Sequence, residues 1–181
     1  MPHPSEPIWQ VNDRFLELRS RWFTLIGEHL QDHRGQILEY WRVEKDDSVI
    51  ILPIHNHQIL LPPPSYRPGL GQVTLDLPGG RVPEGTDPRE AALTTVTREL
   101  GIKSEAIADL TPLNPEGWPV NSSFSNQKLH AFTARIPVLE TPLEPVIVKY
   151  SSDPAGVRDL LRDLVCLQCR AVLLEWWLRR D

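Results

Sequence analysis

Cysteine is scarce in this chain: Cys166 and Cys169 are the two in 181 residues. Two thiols so placed argue against the disulfide scaffold of a small secreted domain. Long hydrophobic runs are missing as well. No stretch approaches the ~20 apolar residues of a membrane span. The opening MPHPSEPIWQ lacks the charged-then-apolar pattern of a secretory signal. A soluble, cytoplasmic protein without a membrane partner is the expectation. Basic charge is not in excess either. With 19 Lys+Arg against 24 Asp+Glu the formal net charge is −5, so diffuse attraction to nucleic acid or anionic lipid is not favoured. Internal repeats, low-complexity tracts and an interdomain linker are also absent. One domain over residues 21–181 is expected, with residues 1–20 as an N-terminal extension.

What is present is enough apolar surface for a core. Hydrophobic residues make up 40% of the chain, and six residues are Trp. Eighteen prolines cluster at 62–64, 78, 83, 112–119 and 137–145. They punctuate short strands and leave one clear helix before residue 150. Residues 12–32 fit helical spacing through Phe15, Leu18, Trp22, Leu25 and Ile26, and equally a strand at 22–26 ahead of a turn at Gly27. Alternation over 36–44, the β-branched run 48–54 and the return at 58–61 spell strands, the last two joined as a hairpin by His55-Asn56-His57. Further strand patterns lie at 73–77, 107–113, 128–136 and 146–151. Over 88–100 Pro88 suits a first turn, Asp87 or Thr86 can cap it, and Gly101 stops it. Residues 156–180 read as helical. Strands flanked by a central and a C-terminal helix point to an α/β or α+β sandwich.

The stretch GGRVPEGTDPREAALTTVTRELGI, residues 79–102, resembles the Nudix box, G-x5-E-x7-R-E-U-x-E-E-x-G-U with U aliphatic. Gly80 opens the box, Val96 and Ile102 take aliphatic places, Glu99 takes the second glutamate of the E-E pair, and Gly101 the late glycine. The run 58–80 looks like the hairpin, arginine loop and E-L-P-A-G strand of the ADP-ribose pyrophosphatase branch, and 117–136 looks like its later loop and strand. The resemblance covers roughly residues 20–178. It implies a Nudix-type α/β/α sandwich with a mixed sheet in a single domain. It also implies a nucleoside diphosphate derivative such as ADP-ribose as ligand, Mg²⁺ as cofactor in a catalytically active member, and homodimerisation.

The departures fall on the carboxylates. Thr86 stands for the early Glu, Thr94 and Thr95 for the R-E pair, and Arg98 for the first Glu of the E-E pair. Asp76 replaces the glutamate of E-L-P-A-G, and Ser65-Tyr66-Arg67 replaces Gln-Tyr-Arg. Pyrophosphate hydrolysis needs divalent cations to neutralise phosphate and activate water, and Mg²⁺ prefers several oxygen ligands in octahedral array. Helical spacing puts 95, 98 and 99 on one face, where this chain offers Thr, Arg and Glu. Glu99 is therefore the one box residue left for catalysis, and Glu99 with the Gly79 carbonyl the one metal set. Arg67, Asp76, Gly79, Gly80 and Arg98 are the candidate substrate-binding residues. The face carrying 86, 95 and 98 is expected to line an open groove.

Three functions follow. The first is a binding module for nucleotide diphosphates, or for a protein partner, with weak or no hydrolysis. The second is an active pyrophosphohydrolase of ADP-ribose-like substrates using acids other than the box glutamates, such as Glu84, Glu90 or Glu116. The third is a scaffold acting through surface tryptophans. Cys166-x-x-Cys169 has two ligands and apolar flanks, so it reads as core packing. His55 and His57 read as turn residues and His130 as structural. Trp176 and Trp177 cannot both point inward from one helix side.

Overall fold

The computed structural model describes residues 8–139, 142–144 and 146–180, so the opening stretch 1–7 and Pro145 lie outside the described residues. The chain falls into two compact units, Met1–Asp46 with Pro119–Gln127, and Asp47–Trp118 with Lys128–Asp181.

The first unit is a three-stranded antiparallel meander of β1 (Gln10–Arg19), β2 (Thr24–Gln31) and β3 (Ile37–Glu44). Of the two conformations open to residues 12–32, the chain takes strands on both sides of a turn that Ser20 closes. The Ser20 Oγ accepts from the backbone N–H groups of Trp22 at 3.1 Å and Phe23 at 3.0 Å. Phe15 lies over Gly27, where a Cβ would come within 2.5 Å of its ring. Glu28 is only 1% exposed. It accepts from Arg14 Nε at 3.0 Å and Arg42 Nε at 2.9 Å. The Arg42 bond is the main reason its carboxyl is held below the usual range, against the opposing effect of burial. The segment 119–127 folds back on β3: Val43 N–H donates to the Phe124 carbonyl at 2.7 Å, and Lys45 N–H to Asn126 Oδ1 at 3.0 Å.

The second unit holds the larger sheet. β4 (Ser48–His55) and β5 (Gln58–Leu61) form the expected hairpin. Asn56 and His57 both have positive φ, 45° and 61°, as a type I′ turn requires. β6 (Ser65–Arg67) and β7 (Gln72–Thr74) make a small ribbon, and β8 (Gly79–Arg81) pairs with β4. The strand expected at 73–77 is therefore cut short. Leu75 instead makes a lone bridge to Leu164, which turns Asp76 off the ribbon. After α1 (Pro88–Leu100) come β9 (Asp109–Pro112), the two-residue strand β10 (Trp118–Pro119), β11 (Lys128–Arg135) and β12 (Val148–Ser151). β11 runs parallel to β4 while β9, β5, β8 and β12 pair antiparallel, so the sheet is mixed. The C-terminal helical region divides into α2 (Pro154–Asp163) and α3 (Leu167–Leu178), because Leu164 is extended where it bridges Leu75.

Alternation along β4 explains the layers. Val49 and Ile51 join Leu60 in one core with Ala91, Ala92, Val96 and Leu100 of α1. Ile50 and Leu52, also buried, face the other way, where α3 contacts β4 and β11. Asp87 Oδ1 caps α1 by accepting from Arg89 N–H at 2.7 Å, and Gly101 ends the helix at φ 68°. On α3 Trp176 is buried and Trp177 half-buried. The Arg180 guanidinium stacks on both rings, at 4.5 and 4.8 Å from their centroids.

Candidate functional site

β8 lies against α1 because residue 80 has no side chain. A Cβ there would come within 2.6 Å of Thr95 Oγ1 and 3.3 Å of Arg98 Nη2. This close approach brings three of the expected site residues together. Gly79 N–H donates to Glu99 Oε2 at 3.1 Å. Arg98 Nη2 donates to the Gly79 carbonyl at 3.1 Å and to Glu99 Oε1 at 2.9 Å. Both carboxylate oxygens of Glu99 and the Gly79 carbonyl thus already have N–H partners, and one guanidinium nitrogen spans the gap between the two expected metal ligands. A Mg²⁺ ion prefers several oxygen ligands and is repelled by a cation beside it, so this donor set fits it poorly.

The expected open groove on this helix face is only half right. Arg98 is 56% exposed at its side chain and Thr86 is half-buried, but Thr95 is 1% exposed. Thr95 shares that face by spacing, but β8 covers it: its Oγ1 lies beneath Gly80.

Arg67, Asp76, Gly79 and Gly80 share a different feature, a cavity of about 540 Å³ whose wall is completed by Cys166 and Cys169. Asp76 is fixed there by Arg67 Nε at 2.7 Å and Thr74 Oγ1 at 3.2 Å, both on Oδ2. Its Oδ1 faces Cys169 Sγ at 3.9 Å. The Cys166-x-x-Cys169 pair, expected to be core packing, is therefore part of the cavity wall. Each thiol shifts the other: Cys169 holds the Cys166 pKa down, while Cys166 and burial push that of Cys169 up. Spacing alone could have flagged the pair, but not the aspartate beside it.

Arg98 lines a separate groove of about 460 Å³ on the outer side of α1, with Glu90, Thr94 and Thr97. Glu84 and Glu116 are exposed, and neither lines the cavity or this groove. His55 Nδ1 lies 2.7 Å from the Ile136 carbonyl. His130 Nε2 lies 3.2 Å from Asp47 Oδ2, in keeping with a structural part.

No family model and no curated protein matches this sequence. Solved structures do match its shape. One is an ADP compounds hydrolase that is 22% identical, with a TM-score of 0.75 over 98% of this chain and 97% of that one. The fold is Nudix-like. At that identity the likeness extends to the α/β architecture with its mixed sheet and helices, and to nothing finer. Among the described residues, no helix is long and apolar enough to cross a membrane.

Proposed function

We propose that this chain is a cytoplasmic binding module for nucleoside diphosphate derivatives of the ADP-ribose class, with little or no hydrolysis. The observation that carries the proposal is the Arg98 Nη2 contact with both the Gly79 carbonyl and Glu99. A guanidinium can neutralise a phosphate by charge-assisted hydrogen bonds but cannot lower the pKa of a water as a divalent metal does. Arg67 engages Asp76 through Nε, and Arg98 engages its partners through Nη2. A guanidinium carries five N–H donors, so both arginines keep capacity for phosphate oxygens.

In this reading the nucleoside end occupies the cavity lined by Arg67 and Asp76, and the diphosphate crosses the Gly79-Gly80 strand towards Arg98. Residues 21–181 carry the binding function, and residues 1–20 are an extension that adds a strand. A second copy of the chain is the protein partner. It covers the exposed aromatics of the three-stranded unit, Trp9, Phe15 and Trp41, and sedimentation velocity over a concentration series tests that dimer.

The test of the catalytic half is AMP release from ADP-ribose in excess Mg²⁺. The expected rate stays near the protein-free blank. Rapid release that is abolished by Glu99→Gln would overturn it and restore the reading as a pyrophosphohydrolase.

A further inference from the structure

We infer that Cys166, Cys169 and Asp76 form a site for a thiophilic divalent cation of the zinc class, with its fourth coordination position open to the cavity. The two sulfurs and a carboxylate oxygen lie within 4.8 Å of one another. A tetrahedral zinc with Zn–S of about 2.3 Å and Zn–O of about 2.0–2.2 Å holds its ligand atoms roughly 3.5–3.8 Å apart. The Cys169 Sγ–Asp76 Oδ1 separation of 3.9 Å is already close to that, and no pair needs to close by more than about 1.3 Å.

Several features of the fold hold the group in place. Cys166 is the N-cap of α3 and Cys169 lies in its first turn, so the two thiols share a helix face. The Leu75–Leu164 bridge sets the residue just before Asp76 beside one that lies two positions before Cys166. Thr74 and Arg67 bind Asp76 by Oδ2 alone, which orients the carboxylate and leaves Oδ1 towards the sulfurs. Such outer partners are what fix ligating carboxylates in metal sites. All three groups line the cavity, so an ion held by them presents its remaining position to whatever enters. Two sulfurs favour zinc over magnesium, and the Glu99 corner takes no part. Three protein ligands with one open position is the arrangement of zinc sites that bind a water or a substrate oxygen.

The test uses the full chain, metal-stripped and kept reduced, titrated with Co²⁺ as the spectroscopic stand-in and then with Zn²⁺ against a chromogenic chelator. The expected result is one equivalent of Co²⁺ bound with a thiolate-to-cobalt charge-transfer band, which Zn²⁺ removes. Cys166→Ser should cut the band to half or less, and Asp76→Asn should keep it while weakening Zn²⁺ affinity at least about 10-fold, the smallest loss usual for even an outer partner of a metal ligand. Arg98→Ala should change neither. Cys166 is half-buried, so its serine variant is the primary one. Far-UV circular dichroism verifies its fold, and Cys166→Ala provides a second variant. Absence of the band at stoichiometric Co²⁺ in the folded, reduced chain would overturn the site, as would equal binding by Cys166→Ser. Neither result depends on whether nucleotides bind.

Discussion

Two arginine–carboxylate pairs occur near the Gly79-Gly80 strand, and they leave their carboxylates in opposite states. Glu99 has both oxygens engaged, one by Arg98 and one by Gly79 N–H. Asp76 has one oxygen engaged by Arg67 and Thr74, while the other faces a thiol. The same pairing of residue types therefore closes one acidic group to further ligands and orients the other towards them. An arginine next to a carboxylate does not by itself say which; the distribution over the two oxygens does.

The comparison can be broken most severely by putting charge back under the strand. Thr95→Glu would place a carboxylate in a buried position where Gly80 leaves no room. A destabilisation of about 3–5 kcal/mol in urea unfolding is expected, the range for an uncompensated buried charge. Arg98→Glu gives up the contacts to Gly79 and Glu99 but stays at an exposed position, and should cost only about 1–2 kcal/mol. Equal costs would mean that the helix face is uniformly open.

A third carboxylate sharpens the point. Glu28 is buried and engaged on both oxygens by arginines. Its folded-state pKa is depressed, chiefly by Arg42, so its contribution is present above the ordinary carboxylate pKa and is lost as pH falls through the folded value. Tm should drop on acidification below about pH 4.5. Glu28→Gln should cost about 3 kcal/mol at neutral pH and flatten that acid dependence. An unchanged acid slope would show that Glu28 is not held as described.

A smaller effect is expected at Glu99 itself. Glu99→Ala removes the acceptor of Gly79 N–H and one partner of Arg98, at a cost of about 1–3 kcal/mol. Differential scanning calorimetry reads it, and a loss below 0.5 kcal/mol (roughly the scatter of surface changes) would mean that the corner is not a tight network.

Parts of this were legible from local chemistry. α1 starts and stops as read because Asp87, Pro88 and Gly101 act within a turn of themselves. The β4–β5 hairpin was legible in the same way from its short polar turn. The box alignment placed Gly79, Arg98 and Glu99 together because a strand-turn-helix segment of fixed length has few ways to close. Legibility failed where distant segments decide. Residues 12–32 carry both periods, and pairing with β3 selects strand. Thr95 belongs to the polar face by spacing, yet β8 covers it. Cys169 and Asp76 are 93 residues apart, and the bridge that aligns them leaves no mark in either local sequence.

The central claim is that an arginine does here what a metal would otherwise do for a diphosphate, and calorimetry with ADP-ribose in excess EDTA tests it most directly. The account predicts binding without metal, weakened about tenfold by Arg98→Ala, the loss of one charge-assisted contact of about 1.5 kcal/mol. Binding that is absent in EDTA and appears only with added Mg²⁺ would contradict it.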